Sequence, residues 1–300
     1  MSAYAPVQRM AAPWAGLSVP GLLGGIVSAF VGFMGLGLAP QLAGVETTEA
    51  GSDPISLTLI LAGYGLMAVS LGLWVGRALG RDPGALIGPW TDARSDVAVA
   101  ARRTLGSLAA ILVLSALAFA LSVTLFVDTL TPPDAENAGG RTRGILAWLT
   151  ALPFAAIAIL IQSGSEEIVF RGYLMPALRA RTDRPLIWLG LPVALFGLAH
   201  LPYAQTANEA LFVFVVTGGI GLALGDLTAR TGNIGAAVGF HWAWNLWQFT
   251  LFGELDGPMS GFALFLTPAA PTPTASPMGL ILSLLSIMIP WLAVRVGLRR

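Results

Sequence analysis

The sequence predicts an all-α, polytopic membrane protein, a bundle of about eight transmembrane helices that forms one integral membrane domain over residues 1–300. Hydrophobic residues make up 55% of the 300-residue chain, charged residues make up only 11%, and the mean hydropathy is +0.76. A typical soluble domain is about 25% charged, so this chain lacks the polar residues to cover a surface exposed to water. Several windows also approach or exceed the roughly 20 apolar residues that cross a bilayer.

Eight windows are apolar enough to be predicted as spans, and the fifth and sixth are the shortest. In order they cover about 17–39, 53–77, 103–128, 144–166, 186–201, 210–225, 233–252 and 278–294. Before the third window, residues 90–103 mix five charged side chains with alanine and valine, which predicts a separate interfacial helix. Residues 267–277 are rich in proline and predict an irregular connecting loop.

The placement of arginine predicts the orientation of the bundle. All sixteen basic residues of the chain are arginine. With eight spans, fourteen of these sixteen lie on the side of the two termini, and Arg141 and Arg143 lie on the other side. Cytoplasmic loops carry an excess of positive residues. Both termini are therefore predicted to be cytoplasmic, and the chain a multi-pass protein of the cell membrane.

Composition excludes several classes of function. The formal net charge is zero and no basic run is present, which argues against a nucleic-acid partner. The absence of cysteine excludes disulfides, thiolate metal sites and cysteine nucleophiles. The predicted partners are the lipid bilayer and whatever substrate reaches the protein from it.

Three polar clusters interrupt the apolar spans, where ionisable side chains are costly and usually mark function. In the first, at the end of the fourth window, Glu167 and Arg171 are four residues apart with the acid first, the better order for a helical ion pair. Glu166 is rotated about 100° away from that pair. It therefore keeps an unpaired, partly desolvated carboxylate oxygen, as a general base requires.

The other two clusters contain both histidines of the chain. His200 closes the fifth window, with Phe196 one turn before it on the same face. His241 and Asn245 share one face of the seventh window, where both could donate to an oxygen that acquires negative charge. Taken singly, each cluster also fits a structural role, as snorkelling acids, a hydrogen-bonding histidine or a contact between spans. Trp242 and Trp244 fit an interfacial belt or the lining of a substrate groove, and Phe196 is a further groove candidate.

The three clusters together resemble the CPBP family of intramembrane proteases, which includes the type II CAAX prenyl endopeptidases and proteins of bacteriocin processing and immunity. The family pattern is Glu-Glu-x-x-x-Arg, Phe-x-x-x-His and His-x-x-x-Asn/Asp. It is met here at Glu166-Glu167 with Arg171, at Phe196 with His200, and at His241 with Asn245. The resemblance covers about residues 144–252, which are the predicted catalytic core.

The resemblance implies an active site within the membrane that hydrolyses a peptide bond near the cytoplasmic face. Glu166 would activate water with help from His200, while His241 and Asn245 would stabilise the oxyanion. Glu167 and Arg171 would hold the site together. The substrate would be a membrane-associated protein or peptide, lipidated or not. Ser163 and Ser165 lie near Glu166, but no histidine stands at a motif spacing from either, so a serine triad is not expected.

Two questions stay open from the sequence alone. A metal-free mechanism without a cofactor is expected, but Glu166, His200 and His241 also match the ligand types of a His₂Glu zinc site, in which case the enzyme would be a metalloprotease. The alternatives to a protease are a proton-coupled transporter, which would use the buried carboxylate and histidines as a relay, and a non-catalytic immunity or scaffold protein. No inverted repeat of the kind found in secondary transporters is evident in the sequence.

Overall fold

The computed structural model describes residues 4–35, 51–126, 140–204, 206–255, 257–268 and 276–298. These ranges are mostly helical, as predicted. The α-helices are α1 Ala5–Ala11, α2 Val19–Met34, α3 Pro54–Gly63, α4 Gly65–Leu73, α5 Trp90–Phe126, α6 Ile145–Glu167, α7 Met175–Arg179, α8 Leu191–Ala199, α9 Ala207–Thr231, α10 Gly235–Leu251 and α11 Pro277–Leu298. Wider π-helical turns cover Trp74–Ala78, Ile168–Leu174 and Leu186–Gly190, and 3₁₀ turns cover Ala12–Trp14, Pro83–Leu86 and Leu201–Tyr203.

Five helical segments among the described residues are long and apolar enough to cross a membrane. They are Pro54–Ala78, Pro83–Ala118, Ile145–Arg179, Ala207–Thr231 and Pro277–Leu298. A sixth is counted if Ala5–Trp14 and Val19–Met34, which meet at 96°, form one broken span. These segments support an integral membrane protein.

The predicted number of eight spans is not confirmed, although each predicted window contains helix. The fifth window is the short apolar helix Leu186–Ala199, and the seventh is α10, which has 17 residues. Both fall below the length of about 20 residues that crosses the hydrocarbon core. The cytoplasmic placement of the termini depends on the span count and stays a prediction.

The separate interfacial helix predicted over residues 90–103 is wrong. This segment and the third predicted span form one continuous helix of 37 residues, α5. No proline interrupts the chain here, so the backbone hydrogen bonds run on through Arg102 and Arg103. Residues 36–39 of the first predicted span, residues 127–128 of the third and most of the proline-rich loop lie outside the described residues.

Small residues let α5 and α10 pack closely. A side-chain Cβ at Gly235 would lie 2.1 Å from the Ala93 carbonyl oxygen, and one at Gly239 would lie 2.3 Å from the Val97 carbonyl oxygen. The two glycines are four residues apart on one face of α10, the spacing that lets membrane helices approach through their backbones. This contact fixes the position of α10, which carries His241 and Asn245.

A short three-stranded sheet joins the ends of α6 and α10, and the sequence analysis did not predict it. The strands are β1 Arg141–Thr142, β2 Phe252–Glu254 and β3 Phe265–Thr267. They lie in the order β1-β3-β2, with β1 antiparallel and β2 parallel to β3. Strands of two or three residues are too short to show the alternation by which a strand is recognised in a sequence. Arg143 donates from Nε to the Ala263 carbonyl at 3.0 Å and so holds the loop between β2 and β3.

Asp53 caps the N-terminus of α3. Its Oδ1 accepts hydrogen bonds from the backbone N–H groups of Ile55 and Ser56, at 2.8 and 3.0 Å. Burial alone would raise the pKa of Asp53, but the hydrogen bonds from Ser56 and Ile55 outweigh this effect and lower it. The carboxylate therefore stabilises the fold above its unfolded pKa of about 3.9, and this contribution is lost as the pH falls through the lower folded value.

We predict that Asp53→Ala lowers the free energy of unfolding by about 1 kcal/mol, because two backbone donors lose their acceptor. Unfolding in mixed micelles at pH 7 measures this loss. Asp53→Asn, which keeps the acceptor oxygen, should retain most of the stability at pH 7 and remove the pH dependence at this position. Equal losses in the two variants would contradict the capping role.

Candidate active site

The first polar cluster forms a buried ion pair where α6 ends and the π-helical turn Ile168–Leu174 begins. Glu167 and Arg171 are both fully buried, and Arg171 Nη1 lies 3.2 Å from Glu167 Oε1. The other terminal nitrogen of Arg171 donates to the Gly221 carbonyl of α9 at 2.9 Å. The guanidinium also stacks on the Phe196 ring, 4.6 Å from its centroid. Arg171 therefore ties three helices together.

Glu166 is buried beside this pair but takes no part in it. Its Oε1 accepts a hydrogen bond of 2.7 Å from Gln162 Nε2, one turn earlier on α6. Its Oε2 is buried and has no hydrogen-bond partner within the described part of the chain. His241 Nε2 lies 3.8 Å from this Oε2, too far for a direct hydrogen bond. One carboxylate oxygen is therefore anchored while the other has no partner.

The geometry of His241 fixes its tautomer. Its Nδ1 lies 2.8 Å from Glu167 Oε1, which is an acceptor as a carboxylate, so Nδ1 carries the proton. Nε2 is then the nitrogen that faces Glu166. The predicted partner Asn245 lies one turn later on α10, and its Nδ2 donates to Gln162 Oε1 at 2.9 Å. The same nitrogen is 3.5 Å from Ser163 Oγ.

His200 lies across the site, at the end of α8. Its Nδ1 is 2.8 Å from the Phe196 carbonyl oxygen, which can only accept, so Nδ1 donates and Nε2 is the basic nitrogen of the neutral ring. The Phe196 ring contacts both imidazoles, with its centroid 4.7 Å from that of His200 and 6.0 Å from that of His241. The three sequence motifs therefore meet in space.

These side chains line a cavity of about 260 Å³. Most of the polar groups in its wall come from Glu166, Gln162, His200, His241 and Asn245, and Phe196 is also part of it. A second, apolar groove of about 370 Å³ shares Glu166 and His200 with this cavity. The remaining lining of the groove is mostly hydrophobic and includes Ile26, Phe30, Phe33, Met67 and Phe170.

Trp242 and Trp244, predicted as groove candidates, contribute to neither of these spaces. Trp242 donates from Nε1 to the Ala156 carbonyl of α6 at 2.8 Å. Trp244 is buried and stacks on Phe240, at a centroid distance of 6.2 Å and an interplanar angle of 7°. Both rings face neighbouring helices because their positions on α10 are rotated away from the face that carries His241 and Asn245.

Several residues of the site were not predicted from the sequence. Gln162 links Glu166 to Asn245, and the signal for it was available, since it is a polar side chain one turn before Glu166 within an apolar span. Tyr64, Thr217 and Met259 complete the wall of the cavity from other helices and from the loop after β2. No motif marks these three, because only the packing of distant segments brings them to the site.

The neighbouring serines are engaged in other contacts. Ser163 donates its hydroxyl to Gln162 Oε1 at 3.0 Å, and Ser165 donates to the Ile161 carbonyl at 2.7 Å. Among the described residues, neither serine forms a hydrogen bond with a histidine. This agrees with the expectation that no serine triad is present.

The metal alternative requires three ligands to converge on one point. In the described ranges, no group of three or more histidine, aspartate or glutamate side chains is placed to hold a metal ion. The proposed set of Glu166, His200 and His241 does not form such a group, although the Nδ1 atoms of both histidines are engaged with protein acceptors and leave Nε2 of each ring as the nitrogen that a metal could use. The residues present do not fit a zinc centre.

Comparison with known proteins gives one family. Residues 145–247 match the family model described as type II CAAX prenyl endopeptidase Rce1-like. This segment is Rce1-like. The match confirms the family predicted from the three motifs, and it begins with α6 and ends within α10, so it contains all six motif residues predicted to be catalytic.

The Rce1-like segment is about one third of the chain, and a second comparison covers just under half of the chain. The chain is 27% identical to the uncharacterized protein YyaK of Bacillus subtilis strain 168 over 141 residues, which are 47% of this chain and 46% of that protein. The chain thus spans just under half the length of this curated relative. No solved structure matches the chain. The Rce1-like match supports a membrane protease of the CAAX type.

Proposed function

We propose that this protein is an intramembrane endopeptidase that hydrolyses a peptide bond of a membrane-associated protein or peptide near the cytoplasmic face. One observation carries the proposal. Glu166 Oε2 is buried without a hydrogen-bond partner in the described ranges, and its carboxyl group lines a cavity beside His241 and His200. A buried carboxylate oxygen in that state costs free energy unless a ligand or water satisfies it.

Water is the nucleophile in this mechanism. The 3.8 Å separation between Glu166 Oε2 and His241 Nε2 lets one water molecule contact both atoms from the cavity side. Glu166 takes a proton from that water as the water oxygen attacks the peptide carbonyl carbon. Glu166 then delivers the proton to the leaving nitrogen as the C–N bond breaks. The basic Nε2 of His200 assists by accepting a hydrogen bond from the same water or from the substrate.

The oxyanion is stabilised from α10. His241 donates its Nδ1 proton to Glu167, so it can donate from Nε2 only as an imidazolium. Asn245 has two N–H donors, and Gln162 engages one of them. Its second N–H, which is directed at Ser163 Oγ over 3.5 Å, would turn from that hydroxyl to become the other donor to the oxyanion.

The remaining groups position these reactants. Glu167 accepts the hydrogen bond from His241 Nδ1, and Arg171 fixes the spacing between α6, α8 and α9. Gln162 directs Glu166 by holding Oε1, which leaves Oε2 for the water. The apolar groove that shares Glu166 and His200 with the cavity suits the hydrophobic part of a substrate, whether that is a transmembrane segment or a lipid attached to the chain.

Cleavage in proteoliposomes tests the proposal directly. Purified protein and a set of membrane-anchored peptides are incubated in H₂¹⁸O, and mass spectrometry identifies new peptide ends. We expect new ends close to the membrane surface, ¹⁸O incorporation into the new carboxyl group, and neither in the Glu166→Gln variant. Ends produced equally by the variant would overturn the proposal, and proton-driven uptake without cleavage would favour a transporter.

We also predict that turnover does not depend on a divalent metal. The donor set does not converge, so treatment with 1,10-phenanthroline or EDTA should leave the cleavage rate within about twofold of the untreated value. Elemental analysis of the purified protein provides the independent measurement. Stoichiometric zinc, whose removal abolishes cleavage and whose return restores it, would contradict this prediction.

A further inference from the structure

A second polar cluster, away from the candidate active site, lies between the ends of α9 and α11. At its centre is Asp226, which is buried on α9. Asp226 Oδ1 accepts from Arg230 Nε at 2.8 Å and from the Tyr4 hydroxyl at 3.1 Å. Its Oδ2 accepts from Trp291 Nε1 at 3.1 Å and lies 3.8 Å from Arg295 Nε. The proposed hydrolysis uses none of these groups.

The charges in this cluster do not balance. One carboxylate faces the guanidinium groups of Arg230 and Arg295, which leaves an excess positive charge of one. Arg295 donates no hydrogen bond to any other described residue, and its guanidinium lies over the Trp291 ring at 4.9 Å from the centroid. Its side chain is 30% exposed. The cluster therefore presents a partly buried cation with N–H donors available to an anion.

An apolar groove of about 440 Å³ begins at this cation and runs between α9 and α11. Arg230, Arg295, Asp226 and Tyr4 line one part of it, and most of the remaining lining residues are hydrophobic. Leu222 on α9 and Met288 on α11 line the groove and are 51% and 44% exposed, so the groove is open at the surface that the membrane covers. A ligand that fits this space has an anionic head and an apolar tail.

We propose that this groove binds an anionic phospholipid, with the phosphate at Arg295 and Arg230 and an acyl chain between α9 and α11. Basic pockets between membrane helices on the cytoplasmic side are sites of this kind, and arginine pairs with phosphate through several N–H donors. A zwitterionic headgroup would bring its own cation to a site that already has a positive excess. A free phosphate would leave the apolar part of the groove unfilled.

Lipid titration of the purified full-length protein tests the proposal. The protein is titrated in detergent with phosphatidylglycerol or with phosphatidylcholine of the same acyl chains. Native mass spectrometry counts the bound lipid, and the unfolding midpoint reports the stabilisation that binding gives. We expect one phosphatidylglycerol molecule to bind at least tenfold more tightly than phosphatidylcholine, and glycerol 3-phosphate not to compete.

Two variants with matched controls locate the site. Arg295→Gln should weaken phosphatidylglycerol binding about fivefold, the change expected from the loss of one basic residue. Met288→Trp fills the groove and should abolish the selective binding. The controls are Arg184→Gln, which removes an exposed arginine outside the groove, and Ile289→Trp, which changes a neighbouring residue that is 43% exposed and does not line the groove. Neither control should change the affinity.

Several results would overturn the proposal. Equal affinity for the two lipids would show that headgroup charge does not determine binding. Competition by glycerol 3-phosphate would show that the site binds the headgroup without the acyl chain. If the controls lose binding as strongly as Arg295→Gln and Met288→Trp, the lipid binds to the protein surface in general and not to this groove. Because Arg295→Gln and Met288→Trp act on different parts of the ligand, a folding defect in one of them leaves the other as a test.

Discussion

Glu166→Gln is expected to lower the rate of peptide cleavage by about a thousandfold, within the range of 10² to 10⁴ that a general base contributes. The substitution is nearly isosteric, and the amide oxygen of the new side chain can still accept the 2.7 Å hydrogen bond from Gln162. The loss therefore comes from the basic oxygen that faces the cavity. Initial rates on a membrane-anchored peptide, measured at saturating substrate, give the change in kcat.

Glu254→Gln is the matched control, because it makes the same chemical change at an exposed position on β2. It should cleave at the wild-type rate. The Glu166 variant should also unfold at the same denaturant concentration as the wild type. A Glu166→Gln protein that is well folded and still active would exclude Glu166 as the base, and retention of a cellular phenotype by this variant would favour a scaffold function.

Arg171→Met is expected to cost about 3–5 kcal/mol of unfolding free energy, the largest effect on stability that we predict. Removing one partner of a buried ion pair leaves the other charge uncompensated. Here the charge left behind is Glu167, which is fully buried, and the Gly221 carbonyl loses its donor as well. Unfolding in mixed micelles, followed by tryptophan fluorescence, measures the loss.

The double variant Glu167→Gln/Arg171→Met separates charge from packing. It removes both charges, so most of the lost stability should return, although cleavage should stay low because the carboxylate that orients His241 is gone. The comparison is Asp183→Asn, which breaks the exposed ion pair between Arg179 and Asp183 at the same four-residue spacing. Exposed pairs contribute about 0–1 kcal/mol. Equal losses in Arg171→Met and Asp183→Asn would contradict the role assigned to burial.

The sequence predicted the arrangement of the first motif because the relevant distances are local. Glu167 and Arg171 are one helical turn apart, and a regular helix brings them together wherever it packs. The same rule separates Glu166 from that pair and predicted its unpaired oxygen. Gln162 also obeys it, but a single polar residue within a span gave too weak a signal to assign a role.

Span count and groove residues were predicted less well, for different reasons. Composition identifies apolar windows but does not measure whether the helix in each window is long enough, as α10 and Leu186–Ala199 illustrate. Trp242 and Trp244 were candidates for the groove because they flank His241. Which face of a helix lines a cavity depends on the neighbouring helices. Here Trp242 contacts α6 and Trp244 stacks on Phe240, so neither ring reaches the groove.

The sequence by itself determined that the chain is apolar and helical, that it carries the three motifs by which it resembles the CPBP family, and that Arg171 pairs with Glu167 rather than with Glu166. These features follow from composition and from contacts within one turn of helix. Only the tertiary structure decided that Phe196 contacts both histidine rings, that His241 forms a hydrogen bond with Glu167, and that Asp226 shares one carboxylate between two arginines. These contacts join residues on separate helices, and their distances depend on how the helices pack.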